Sequence, residues 1–375
     1  MTKIKNHIIT KINIEVIYAG GTISSLMTPK GYREGGHVID LLKILDEKIH
    51  SLKDKFEIHK PVVAYTGLSE NITKRDLKKI EQCVFTALKK NPDGILITHG
   101  TDSMEQTAKY LNRKFHSVLI SKGVCVFLTG ANEDISHPHT DAWDNLSFAL
   151  HSFYEKKISR GVFVAFHKKL IPADLVVKEP YNGFGMNFIS INDPEYVKKI
   201  QVLRGRDESR ITKLKMKISG SPFLSDASIL EYHVHIVREN HNTLLTYVET
   251  HPVKIILLVL YHSGTANTTD DFASVSTLVR RLRKTKNILF FGVTETGEPV
   301  DLHSYETSVT LRNAGVVPLY TMSGNVAMAK LKTIRTSASP REYIQYMLTD
   351  KVGELHEEKI IKDDVEKLLN LYNTH

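Results

Sequence analysis

Residues 94–100, GILITHG, run directly into 101–108, TDSMEQTA, and the architecture of the chain turns on these fifteen positions. Ile95, Leu96 and Ile97 show no polar alternation, as expected of a strand covered on both faces rather than one facing water. Gly100 ends the run, and SMEQTAKYLNRKF (103–115) continues with helical spacing. Buried strand, glycine turn and helix, in that order, are the parts of a parallel α/β layer. Thr101, Asp102 and Ser103 then stand at the strand's C-terminal end, where open α/β sheets bind their ligands.

The same pattern extends in both directions. IEVIY (14–18), PVVAYT (61–66), VCVFLTG (124–130) and GVFVAF (161–166) read as further strands of the same kind. Between them, Thr73 with Asp76 makes a capping-box-like start, and Leu77, Ile80, Val84 and Leu88 follow at helical spacing. Pro92 and Gly94 close that helix, and DAWDNLSFALHSFYEKK (141–157) supplies another. Residues 1–200 therefore predict the larger, N-terminal and mainly parallel α/β domain. Residues 201–250 read as a linker and irregular segment, in which KLKMKIS (213–219) alternates like an exposed strand and GSPFLSD (220–226) is loop-like. Alternation resumes over 251–375 with KIILLVLYHSG (254–264), NILFFGV (287–293), VVPLY (316–320), helices near 271–284 and 304–314, and GNVAMAKLKTI (324–334). This predicts a second, smaller C-terminal α/β domain.

Composition narrows the class. With 41% hydrophobic and 25% charged residues over 375 positions, the chain can bury substantial cores. The formal net charge of +8 is spread along the chain, for example as the solvated face of LKKIEQCVFTALKK (77–90). Only RRLRK (280–284) is concentrated, again on a helix, so no nucleic-acid partner is expected. Cys83 and Cys125 lie in apolar stretches without a CxxC pair, which predicts buried thiols in a reducing compartment. The N-terminal residues are interrupted by Lys, Asn and Glu, unlike a signal peptide's apolar core, and the longest apolar stretch, IILLVLY (255–261), is strand-sized. A cytoplasmic location follows as the expectation.

Three features carry chemistry. AGGTISS (19–25) follows the first strand, THGTDSMEQTA (98–108) spans the third strand's end, and Lys178 in ADLVVKEPYNG (173–183) follows the fifth. A threonine hydroxyl is a poor nucleophile at neutral pH and needs a base; a lysine near a second threonine and a carboxylate can shuttle that proton if burial lowers its pKa. Backbone N–H groups near Gly21 and at the helix start after Asp102 can hold an oxyanion or a carboxylate. On residue types alone, the same stretches also fit a plain turn, a helix cap and a surface lysine.

AGGTIS (19–24) and HGTDSMEQTA (99–108) resemble the two signature motifs of the bacterial-type L-asparaginase family, T-G-G-T-I and H-G-T-D-T-M-E-E-T-A. Agreement continues in order through LTGANE (128–133), DAWDNLSFAL (141–150), RGVFVAF (160–166), YHSGTAN (261–267), LRNAGVVPLYTMSGNVAMAKL (311–331) and VGELHEE (352–358), and is poor over 195–250. The stretch from Thr22 to Tyr32 and the LHEE-type tail look closer to the cytoplasmic type I branch. The resemblance implies Thr22 as nucleophile, Tyr32 in KGYREGG (30–36) as its helper on a flexible lid, and Thr101, Asp102 and Lys178 as a second catalytic group. It implies that Ser69 and Glu70 in LSENIT (68–73), with Gly21, Thr101 and Asp102, hold the substrate, and that Asn267 reaches in from a neighbouring subunit of a homo-oligomer. It implies no metal and no cofactor.

Departures from the family pattern are Ala19, Ser103 and Gln106, and the segment EDISHPHTDAWDN (133–145). There His137, His139 and Asp141 could be imagined as metal ligands, but a polar loop capping the next helix is the better reading. The expected function is hydrolysis of L-asparagine to L-aspartate and ammonia. One alternative is the asparaginase-like subunit of an archaeal-type Glu-tRNA(Gln) amidotransferase, which carries an extra N-terminal β-domain, whereas here the first motif begins within 20 residues of Met1. The other is a catalytically silent amino-acid-binding protein on the same fold, for which neither threonine would be needed.

Overall fold

The apolar run Ile12–Ala19 forms β1, the strand around which the first sheet is arranged. A computed structural model describes residues 11–24, 26–27, 33–34, 55–135, 137–155, 160–180, 186–216, 228–234, 239–269, 274–294, 299–335, 337–356 and 360–373. After β1 come a two-residue pair, β2 (Leu26–Met27) and β3 (Arg33–Glu34), then β4 (Phe56–Ile58), β5 (Val62–Tyr65), helix α1 (Lys74–Lys89) and β6 (Gly94–His99). There follow α2 (Met104–Lys122), β7 (Cys125–Thr129), α3 (Ala142–Tyr154), β8 (Gly161–Phe166) and β9 (Lys169–Pro172). In the first sheet the order is β4-β1-β6-β7-β8-β9, with β5 taking over from β4 along the same edge of β1. Every pairing in it is parallel except β8 with β9.

Strand alternation divides the core. Ile17, Ile95, Ile97 and Val126 pack on one face against α1 and α2, while Ile14, Val16, Tyr18, Leu96 and Phe127 pack on the other against α3. Thr73 caps α1 through the capping box with Asp76, as its spacing predicts. The register then levels one edge of the sheet: Ala19 lies beside His99 on one side and Tyr65 on the other, so β1, β5 and β6 end together.

Outside this sheet, β10 (Val176–Pro180) and β11 (Met186–Ser190) form an antiparallel hairpin. Helix α4 (Pro194–Met216) follows, then β12 (Ile229–His233), α5 (Glu239–Thr250), β13 (Ile255–Leu260), α6 (Val275–Lys286) and β14 (Leu289–Thr294). The chain continues with α7 (Glu306–Ala314), β15 (Val316–Pro318), α8 (Gly324–Leu331), α9 (Pro340–Met347) and α10 (Lys362–Asn373). Strands β12-β13-β14-β15 make a wholly parallel second sheet, with Ile255, Leu257 and Val259 in one core and Ile256, Leu258 and Leu260 in another.

Four details differ from the sequence expectations. The KLKM of KLKMKIS ends a helix rather than forming a strand, because Ile211 and Leu214 share its inner face and pack into the second core with Val326 and Leu331. The boundary expected at residue 200 falls inside that helix. The Cys83 and Cys125 thiols are only half-buried. Within RRLRK, Arg283 is buried: its guanidinium donates to the Leu371 carbonyl at 2.7 Å and lies over the Tyr372 ring, so it anchors α10.

Candidate active site

Two glycine turns make the site possible. Gly20 and Gly21 follow β1 with φ of +66° and +93°, a region glycine alone enters at little cost. A Cβ on Gly21 would lie 2.2 Å from the Gly100 Cα, and one on Gly100 would lie 2.5 Å from the Ser69 Oγ. The turns after β1, β5 and β6 are therefore in backbone contact, and Thr22, Ser69 to Asn71, and Thr101 to Ser103 share one edge. Thr22 opens a single 3-10 turn there and is buried.

Lys178, 1% exposed, is the centre of the charged group. Its Nζ donates to Thr101 Oγ1 at 3.0 Å, to Ser263 Oγ at 3.5 Å, and to the Asp102 carboxylate, with which it forms an ion pair. An ammonium has three donors, and each finds an oxygen. Asp102 also accepts from Ser263 Oγ at 2.7 Å and Thr265 Oγ1 at 2.5 Å. Burial pushes the Asp102 carboxyl up, but the Lys178 charge and these hydrogen bonds outweigh it and hold it below the usual carboxylate range. Glu70 goes the other way: burial, reinforced by the Asp102 charge, raises it to about 8, against the pull of the Thr307 hydroxyl 2.6 Å away.

The expected residues are thus partly gathered. Thr22, Ser69, Glu70, Thr101, Asp102 and Lys178 lie at the edges and contacts just described; Tyr32 lies outside the described residues. The Gly21 N–H is spent on the Gly67 carbonyl at 3.0 Å, and the Ser103 N–H at the helix start is directed to Ser69 Oγ at 3.4 Å. Asn267 donates to the Asn71 carbonyl at 3.1 Å, within its own chain. The residues that sequence reasoning missed are Ser263, Thr265 and Thr307. The first two stand four and two positions before Asn267 in YHSGTAN, in the turn that follows β13, so their place beyond a strand's C-terminal end was the available signal. Thr307, in the first turn of α7, had none.

His137, His139 and Asp141 do not form a ligand set. Asp141 accepts from the Asn132 and Glu133 N–H groups at 2.8 and 3.2 Å and from His167 Nε2 at 3.2 Å, while His137 Nδ1 accepts from the His139 N–H. Asp141 stands at the start of α3 without capping it by its side chain, and its carboxylate folds the loop; the loop still caps the helix through Thr140, whose Oγ1 accepts the Ala142 N–H at 3.1 Å. Among the described residues, no group of three or more His, Cys, Asp and Glu could hold a metal ion, and no helix is long and apolar enough to cross a membrane.

The turns after β1 and β6 thus bring Thr22, Thr101 and Asp102 to one edge of a parallel sheet, and the β10 hairpin sets the buried Lys178 against them. The N-terminal asparaginase family model matches residues 13–204, just over half of the chain, and the chain belongs to that family of amidohydrolases. It is 28% identical over 361 residues to the D subunit of the Glutamyl-tRNA(Gln) amidotransferase of Saccharolobus islandicus (strain M.14.25 / Kamchatka #1), covering 92% of this chain and 76% of that one. Against the same amidotransferase component of Methanococcus maripaludis (strain C5 / ATCC BAA-1333) the identity is 24%, over 92% and 81%. Among solved structures, the thermostable L-asparaginase from Thermococcus kodakarensis matches with a TM-score of 0.40 and 20% identity over 92% of this chain and 99% of that one.

Proposed function

We propose that the chain is an L-asparaginase, hydrolysing the side-chain amide of L-asparagine to L-aspartate and ammonia through a threonine acyl-enzyme. The observation that carries this reading is the buried Thr101–Lys178–Asp102 group on the edge that presents Thr22. The Thr22 hydroxyl adds to the amide carbon, and its proton passes by way of Thr101 and Lys178 to the amide nitrogen. The C–N bond breaks, ammonia leaves, and water then attacks the ester and restores the Thr22 hydroxyl. Asp102 holds the lysine ammonium between transfers; with Ser69 and Glu70 it takes the α-groups, which orients the amide for attack. Tyr32 assists Thr22, and Gly21 and Asn267 shape the walls. No cofactor or metal takes part, and the protein acts in the cytoplasm as a homo-oligomer, for which the family resemblance is the support.

The test is ammonia release over a panel of amides. Thr22→Ala should fold normally and lose turnover by about a thousandfold or more, as removal of a covalent nucleophile does. Retention of over a tenth of wild-type kcat would overturn the assignment.

A second reading is favoured by the 28% and 24% relatives, both amidotransferase subunits. In that reading the chain releases ammonia for a partner acting on charged tRNA. Gel filtration with tRNA separates the two: a chain that is active alone on asparagine and does not co-migrate with tRNA is an asparaginase.

A further inference from the structure

Glu105 stands three residues after Asp102 in the second motif and has no part in the site as described so far. Its carboxylate serves two partners: Oε2 accepts the backbone N–H of Lys178 at 3.1 Å, and Oε1 accepts the Lys109 ammonium at 2.6 Å, one helical turn along. We propose that Glu105 is a positioning residue for Lys178, tying the strand that carries the lysine to the turn that supplies the lysine's partners. This rests on the role given to Lys178 above.

The need for such a tie comes from the topology. Strand β10 belongs to a two-stranded hairpin outside the main sheet, and its ladder sets Lys178 opposite Phe188 without registering it against the edge where Thr22 and Thr101 lie. An antiparallel ladder turns alternate N–H groups of each strand away from the partner strand. The N–H of Lys178 is one of these, and Glu105 takes it. Lys178 is thereby held at both ends by residues 101–105: its ammonium by Thr101 and Asp102, its backbone by Glu105. The partner on Oε1 is no substitute explanation, since Glu105 and Lys109 are part-exposed and such i,i+4 pairs add little. Displacing a proton-transferring group by about 1 Å costs up to about a hundredfold in rate.

Four variants test this: Glu105→Gln, which keeps an acceptor oxygen, Glu105→Met and Glu105→Ala, which do not, and Lys109→Ala, which removes only the other partner. Glu105→Met should lose about ten- to a hundredfold in kcat with KM changed by less than about threefold, because the α-group ligands are untouched. Glu105→Gln should restore at least half of wild-type kcat, and Lys109→Ala should leave it unchanged. Hydrogen exchange at the Lys178 amide should be faster in Glu105→Met and Glu105→Ala only. Wild-type kcat in Glu105→Met, equal losses in Met and Gln, or a loss in Lys109→Ala would each overturn the proposal. So would failure of Glu105→Met and Glu105→Ala to fold while Glu105→Gln is fully active, which marks a purely structural role. If the wild type releases no ammonia from any amide, the functional reading fails separately, and the exchange measurement still decides: an unchanged Lys178 amide in Glu105→Met sinks the tie.

Discussion

At Glu70, burial and the neighbouring Asp102 charge retain a proton up to about pH 8. A ligand's α-ammonium needs the ionised form, so uptake of an amino-acid amide near neutrality should expel that proton. Apparent affinity then rises with pH, by up to about tenfold per unit, and levels off above about pH 8. KM measured from pH 6 to 9 checks this, and Glu70→Gln should leave KM high and flat across the range. The sign for stability is opposite. A carboxyl whose folded pKa is raised from 4.5 to about 8 stabilises the unliganded fold fully below 4.5, and that contribution is lost as pH climbs through 8. Lys178→Met should depress kcat far more than KM, and it should also destabilise the fold. It strands the Asp102 carboxylate, 6% exposed, without its counter-charge, and removing one partner of a buried pair typically costs about 3–5 kcal/mol. A normal kcat with a raised KM would show that Lys178 only binds.

At the scale of elements, the glycine turns matter more than the strands they end. Gly21→Ala would drive a methyl into the Gly100 backbone at a φ of +93°, so the two turns must part and activity should fall by at least a hundredfold. Gly205→Ala is the control: it lies within α4 with nothing inside 4 Å of its new methyl, and it should stabilise the chain by about 0.5–1 kcal/mol. Thermal melts and ammonia release on both variants check the contrast. The strands and most helices were legible because apolar runs covered on both faces and a capping box such as Thr73–Asp76 are local signals. The places of Thr22 in a turn and of Lys178 in an apolar run were legible for the same reason, whereas their roles came only from the family resemblance. The KLKM stretch was misread because two-residue alternation and a helix's inner face coincide over so few positions; only packing of Leu214 on α8 decides it. Ser263, Thr265 and Thr307 were illegible as ligands because their partners, Asp102 and Glu70, lie 161 to 237 positions away.

At the scale of the whole molecule, the site is made by both sheets. Ser263, Thr265 and Thr307 follow the second sheet's strands, yet bond to Asp102 and Glu70 of the first within one chain. The family resemblance implied a neighbouring subunit on this side. The two arrangements differ in a mixing experiment with Thr22→Ala and Thr265→Ala subunits, differently tagged and purified as a heterodimer. With contacts inside one chain, each subunit carries one lesion in its own site and ammonia release should not recover. Recovery to about half per heterodimer would mean that the second domain is exchanged across a two-fold axis. The named contacts at this joint, including Asn267 to Asn71 and the Thr268 N–H to Asn71, are hydroxyl, amide and carboxylate bonds. Neutral bonds of this kind contribute about 1 kcal/mol net and those to a charged carboxylate about 1.5–3 kcal/mol, whereas the four cores lie within the separate sheets. Among the described residues the joint is held by polar groups rather than by a shared core, and heating should silence ammonia release while both halves remain folded. Its working temperature would be set by a handful of hydroxyls, and cooling should bring the activity back.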